Sequence, residues 1–148
     1  MKPKTEKNRV RKPQEPSPAE RPAEGAVSRT LFLQATQALG AVLAFDHPAD
    51  AVLSRHFRDN RELGHRDRGF IAEAVYGVLR RLRWLRRIAG AEATPRMLLL
   101  AWFARGEGWP MRNFEGLASA TERDWITSIK AAEARSEERR VGKECRSR

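Results

Sequence analysis

Cysteine and long apolar runs are nearly absent from this chain of 148 residues. The single cysteine, Cys145, excludes an internal disulfide and a zinc site built on cysteines, and it agrees with a reducing cytosol. No apolar run approaches the ~20 residues that a membrane-spanning helix needs. Residues 1–12 are highly charged and no hydrophobic stretch follows them, which argues against a secretory signal. These absences predict a soluble, cytoplasmic protein.

The motifs of common catalytic sites are also missing. No phosphate-binding loop, Rossmann glycine pattern or Ser-His-Asp nucleophile elbow is present. The tripeptide at 65–67, His-Arg-Asp, looks like the start of a kinase catalytic loop, but Ala72 stands where that loop requires asparagine. His47, His56 and His65 are nine residues apart, a spacing that does not place them on one helical face, so we interpret them as unrelated solvent or loop histidines. We therefore predict no catalytic, cofactor-binding or metal-binding residue.

Positive charge is the strongest compositional feature. Lys and Arg number 29 against 19 Asp and Glu, for a net charge of +10, which favours a polyanionic partner such as nucleic acid. Residues 1–25 hold five of the eight prolines and almost no apolar side chains. So few apolar groups cannot offset the entropy of ordering the segment, and we predict a disordered basic arm there.

From residue 26 the apolar pattern is helical and no segment shows strand alternation. We predict an all-α bundle of five or so helices over residues 26–134. Ser28 and Thr94 are expected to cap the first and fourth helices, with Pro95 at the first position of the fourth. The second helix is expected over about 48–58, and the last over about 117–132, with Leu117, Trp125 and Ile129 inward.

The third helix has the clearest pattern. Its apolar residues recur at intervals of three and four, which predicts one unbroken helix over 66–88 with an apolar arc of ~80°. The stripe comprises Ile71, Val75, Val78, Leu82, Leu85 and Ala89. Gly77 lies in the middle of this helix, where glycine is unfavourable by up to ~1 kcal/mol, so we expect a close helix–helix crossing there.

Five arginines fall within eight residues at the end of this helix: Arg80, Arg81, Arg83, Arg86 and Arg87. On one continuous wheel Arg80, Arg83 and Arg87 lie ~180°, ~120° and ~160° from the apolar stripe. Tyr76 and Trp84 fall among them, and guanidinium groups with interleaved aromatic rings are typical of phosphate contact and base stacking. The alternative is a solvated face whose arginine stems cover apolar neighbours, and a bend near 81–83 would scatter the row. We favour an RNA site formed by these arginines and Trp84.

The C-terminal segment, residues 135–148, is polar and has no apolar face. It resembles the in-frame translation of a sequencing adapter over its whole length. We expect it to be an artefact, with Cys145 no part of the native protein and the natural C-terminus missing.

The stretch 66–80, RDRGFIAEAVYGVLR, resembles the signature helix of the NusB-like domain. It is most similar to the version found at the N-terminus of bacterial RsmB-type rRNA cytosine-5-methyltransferases. The flanks AVLSRHFR at 51–58 and RMLLLA at 96–101 are similar to neighbouring helices of that domain, so the resemblance covers about residues 27–134. It implies an RNA-contacting domain ahead of a methyltransferase domain that uses S-adenosylmethionine. No position here matches that later domain's catalytic cysteines or cofactor-binding loop.

We therefore expect an RNA-binding accessory domain of such an enzyme, non-catalytic by itself and without a cofactor of its own. Its expected partners are RNA, foremost rRNA, and the missing C-terminal methyltransferase domain, with no membrane. The alternative is a stand-alone NusB-like module for transcription antitermination or ribosome assembly, which the resemblance would pair with a ribosomal protein. A third reading is a helical domain whose arginines only face solvent or the lost domain.

Overall fold

The computed structural model describes the backbone of residues 27–144 and the side chains of residues 27–132. The predicted arm, residues 1–25, lies outside the described residues, as does the end of the predicted tail, 145–148. Within 27–144 all regular structure is helical, which confirms the predicted all-α class. The elements are α1 (Arg29–Leu43), α2 (Ala49–Asp59), α3 (His65–Arg80), α4 (Leu82–Ala89), α5 (Pro95–Ala101), a π turn (Trp102–Gly106), a 3-10 turn (Met111–Phe114) and α6 (Ala120–Glu144).

Side-chain caps fix where three of these helices begin. The Ser28 hydroxyl accepts a hydrogen bond from the Leu31 N–H, and the Thr94 hydroxyl accepts one from the Met97 N–H, so both predicted caps are confirmed. At α6, Glu122 Oε2 accepts from the Ser119 N–H at 2.8 Å, and Ser119 Oγ accepts from the Glu122 N–H at 3.3 Å. This reciprocal pair is a capping box.

Glu122 also ties the start of α6 to α5. Arg96 donates from Nε to Glu122 Oε1 at 2.6 Å and from Nη2 to Oε2 at 3.0 Å, a fork that grips both carboxylate oxygens. The same Nη2 donates to the Leu117 carbonyl at 2.6 Å. The Arg96 hydrogen bond, aided by those of Ser119, lowers the pKa of Glu122 to about 2 against desolvation, which raises it.

The centre of the bundle is formed by α1, α3 and α5, which contact one another pairwise. Helix α5 has four consecutive buried residues at 98–101, because it is covered on several sides, as its all-round apolar sequence predicts. Four members of the third-helix stripe, Ile71, Val75, Val78 and Leu85, are fully buried. Each such side chain removed from water contributes roughly 1.5–3 kcal/mol.

Gly77 faces the indole of Trp102, which explains a glycine in the middle of α3. A Cβ on Gly77 would lie 2.5 Å from two atoms of that ring. The ring also lies against Gly106 at the end of the π turn, where a Cβ would overlap it. The glycine therefore makes room for a bulky ring, and the predicted close crossing of two helices at Gly77 stays a prediction.

The π turn after α5 is held by the last helix. The Glu107 N–H donates to the Trp102 carbonyl, the i→i−5 bond that defines a π turn. Lys130 Nζ on α6 donates to the carbonyls of Ala104 and Trp109, and thereby satisfies acceptors that the turn leaves without helical partners.

The unbroken helix predicted over 66–88 is wrong. The chain leaves helical geometry at Arg81, with φ −118° and ψ 19°, and α4 restarts at Leu82. Helix α3 has 16 residues against 15 in α1, so the two span similar lengths of about 24 and 22 Å. Another eight residues in line would project beyond the bundle and expose Leu85. The break turns α4 towards α5, which it contacts, and Leu85 is fully buried.

The predicted last helix also has different bounds. Helix α6 begins at Ala120 rather than near Leu117, and it continues to Glu144, into the segment expected to be an artefact. Leu117 and Ile129 are buried as predicted and Trp125 is half-buried, while Ile126, which the pattern did not single out, is fully buried. Over the residues that the structure describes, no helix combines the length and apolar character needed to cross a membrane.

Candidate nucleic-acid interface

The five predicted arginines remain close in sequence but belong to two helices. Arg80 ends α3, Arg81 is the junction residue, and Arg83, Arg86 and Arg87 lie on α4. All five side chains are exposed. We call these five side chains the basic surface.

Helix α4 separates charge from apolar groups sharply. At ~100° per residue, Arg83, Arg86 and Arg87 fall within an arc of ~100°. Its other five residues occupy the remaining arc and are buried or half-buried: Leu82, Trp84, Leu85, Ile88 and Ala89. The predicted row of Arg80, Arg83 and Arg87 is therefore wrong as a single helical face, because the break at Arg81 shifts the register. Arg86, predicted to flank the row, lies on the same face as Arg83 and Arg87.

No carboxylate neutralises the basic surface within the part of the chain whose side chains are described. The sequence between Glu73 and Glu92 contains no acidic residue, so i,i+4 partners are absent. Among residues 27–132 the salt bridge found is that of Arg96 with Glu122, which lies elsewhere. An exposed guanidinium is weakly hydrated and presents its donors in a fork that matches phosphate oxygens.

Trp84 is half-buried and already has cationic neighbours. The guanidinium carbons of Arg81 and Arg105 lie 5.9 Å and 5.5 Å from the ring centre. Arg105 belongs to the π turn and donates from Nη1 to the Ile129 carbonyl at 2.9 Å, so its position is fixed by α6. A base stacking on Trp84 would compete with these cations. Trp84 thus connects α4 to the π turn, and its role as a stacking platform stays a prediction.

The junction between α3 and α4 forms an open depression of about 630 Å³. Its walls are six consecutive residues, 79–84, which include three arginines of the basic surface. A concave surface with positive walls concentrates field lines and favours an anionic chain.

Phe45 is a residue that the sequence pattern did not single out. It is 63% exposed in the turn between α1 and α2, and its φ is 57°. Phe45 helps to line a second open depression, of about 430 Å³, whose wall also includes Leu79. One signal was available: an aromatic residue follows the end of α1 at a position where glycine or asparagine is usual.

The three histidines do not form one group: His47 lines the depression beside Phe45, whereas His56 and His65 are not among the residues that line it. His47 and His65 are exposed, but His56 is half-buried on α2 and not a loop residue as predicted. Desolvation lowers its pKa, while Asp59 and Glu62 oppose the shift. His56 lines a depression of about 470 Å³ together with His47 and Asp59. No cluster of potential metal ligands occurs among the described residues.

Comparisons with known proteins add no relative. No family model matches the chain, and neither a curated protein nor a solved structure matches it.

Proposed function

We propose that this chain is an RNA-binding accessory domain that works on rRNA in the cytoplasm and is non-catalytic by itself. The observation that carries the proposal is the basic surface: five exposed arginines on adjacent helices with no carboxylate partner among residues 27–132. The resemblance of residues 66–80 to the NusB-like signature helix supports the same function. On that resemblance we propose a relation to the N-terminal part of rRNA cytosine-5-methyltransferases that use S-adenosylmethionine.

The chemistry favours contact with the backbone of RNA. Arg83, Arg86 and Arg87 present three guanidinium groups on one side of α4, while Leu85 anchors the opposite side in the core. Guanidinium groups bind phosphate oxygens through paired N–H donors. Such contacts position the nucleic acid and carry no sequence information directly.

Salt dependence of RNA binding tests this proposal. Each phosphate contact releases condensed counterions, so affinity for single-stranded RNA falls with salt by a slope of ~0.7 per contact. Replacing Arg83, Arg86 and Arg87 together by alanine should weaken binding and reduce that slope by about 2. Fluorescence anisotropy of a labelled single-stranded RNA, titrated between about 50 and 200 mM salt, measures both quantities.

A charge-matched control separates this surface from overall charge. Arg58, Arg61 and Arg66 are also exposed, and they lie near the start of α3 whereas Arg80 ends it, about 24 Å away. Alanine at those three positions lowers the net charge from +10 to +7, as the α4 variant does. We expect the control variant to retain most of the salt dependence of RNA binding. Equal slopes for the two triple variants would refute the assignment of RNA contact to α4.

A further inference from the structure

Phe45 and the basic surface lie next to each other through Leu79, and we propose that they form one site for single-stranded RNA. In this site the arginines hold phosphates and the Phe45 ring stacks on an unpaired base. The inference rests on the proposed function, because only an RNA strand bound at α4 would extend to Phe45.

The presence of phenylalanine at position 45 is not explained by the fold. Its φ of 57° is the positive value that L side chains rarely adopt, and no other non-glycine residue of the described backbone has one. The Phe45 N–H donates to the Val42 carbonyl at 3.1 Å, so the residue closes the end of α1 where glycine is the usual choice. Burial of the side chain does not compensate for the unfavourable backbone conformation, because 63% of the residue is exposed. Backbone strain that is retained without a packing benefit is typical of functional positions.

The two depressions share a wall, which sets the path of the RNA. Leu79 lines the depression of residues 79–84 and also the one that contains Phe45. Arg80 and Arg81 follow Leu79 directly in the chain. A strand that contacts these arginines therefore passes over Leu79 to the Phe45 ring within a few nucleotides.

The charges beside Phe45 favour a base there over a phosphate. Asp46 lines the same depression, and its carboxylate repels phosphate but accepts hydrogen bonds from base N–H groups. His47, in the same wall, adds a second polar contact for a base edge. The bases of an RNA duplex are stacked inside and cannot reach a protein ring, so the site selects single strands.

The test uses the full chain and a labelled single-stranded RNA of about ten nucleotides, a length within the usual range of such sites. Phe45→Gly removes the ring and suits the backbone conformation, while Phe45→Trp retains an aromatic ring. Leu33→Ala is the matched control, because Leu33 is the other large apolar side chain exposed among the described residues, at 52%, and it lines neither depression.

We expect Phe45→Gly to weaken binding about tenfold, in line with the loss of one base–aromatic stack, without changing the salt slope. Phe45→Trp and Leu33→Ala should bind as the unaltered chain does, and an RNA duplex should be insensitive to Phe45→Gly. Unchanged binding by Phe45→Gly, or an equal loss for single strand and duplex, would overturn the stacking proposal. The triple alanine variant of Arg83, Arg86 and Arg87 tests the proposed function independently. If it reduces the salt slope while Phe45→Gly has no effect, RNA contact at α4 is supported and the stacking on Phe45 is not.

Discussion

Replacing Gly77 by alanine tests how closely α3 and the Trp102 ring approach each other. At an exposed helical position this change stabilises by up to ~1 kcal/mol, because alanine has the higher helix propensity. At Gly77 the new Cβ would lie 2.5 Å from two ring atoms, whereas ordinary contacts begin near 3.4 Å. The indole, which also lies against Gly106, must therefore move by about an ångström.

Forcing an extra methyl into a filled space is typically unfavourable by 1–3 kcal/mol. Subtracting a propensity gain of ~1 kcal/mol, we expect Gly77→Ala to lower the free energy of unfolding by up to ~2 kcal/mol. Urea denaturation followed by far-ultraviolet circular dichroism measures this value, since α3 and its neighbours supply the helical signal.

Gly69 is the matched control on the same helix. It is exposed, and a Cβ there meets nothing within 4 Å, so Gly69→Ala should raise the free energy of unfolding by up to ~1 kcal/mol. Trp102→Leu provides a second control: in that background the effect of Gly77→Ala should shrink or change sign. If both glycine variants were stabilised equally, the close approach between α3 and the ring would be refuted.

Three further predictions concern the ends of the helices. Glu122→Gln should lower the free energy of unfolding by about 1–2 kcal/mol at neutral pH, because Arg96 loses a carboxylate partner. Since the folded pKa of Glu122 is about 2, below its ordinary 4.5, this contribution is present above pH 4.5 and is lost as the pH falls towards 2. If Glu122→Gln and the unaltered chain lost stability in parallel between pH 4.5 and 2, this assignment of the pH dependence to Glu122 would be contradicted. Phe45→Gly should raise the free energy of unfolding by up to ~1 kcal/mol, because glycine adopts positive φ without strain, and a destabilised variant would show that the ring has a structural role. Thr94→Ala should lower the free energy of unfolding by about 1 kcal/mol in the same denaturation assay, and no change would mean that the α5 cap is dispensable.

The sequence predicted the features of the fold that depend on neighbouring residues. Ser28 and Thr94 cap helices because their hydroxyls accept bonds from N–H groups three residues on. The stripe through Ile71, Val75 and Val78 identified the buried side of α3 because helical periodicity depends only on local spacing.

The candidate site was predictable in composition but not in arrangement. The five arginines lie within eight residues of one another, and their exposure to solvent is expected for charged side chains. Their division between α3 and α4 was not predictable, because no proline or glycine marks the break at Arg81. Phe45 was missed for a related reason: an exposed aromatic residue in a turn has no periodic pattern to reveal it.

The amino-acid sequence by itself determined the helical class, the starts of α1 and α5 and the excess of arginine near residue 80, because propensity, capping and charge act over one or two turns. Tertiary structure alone decided that α4 turns back at Arg81, that Trp102 lies against Gly77, and that Leu79 joins the basic surface to Phe45. These features arise from contacts between residues far apart in the chain, where the volume to be filled, and not local preference, sets the conformation.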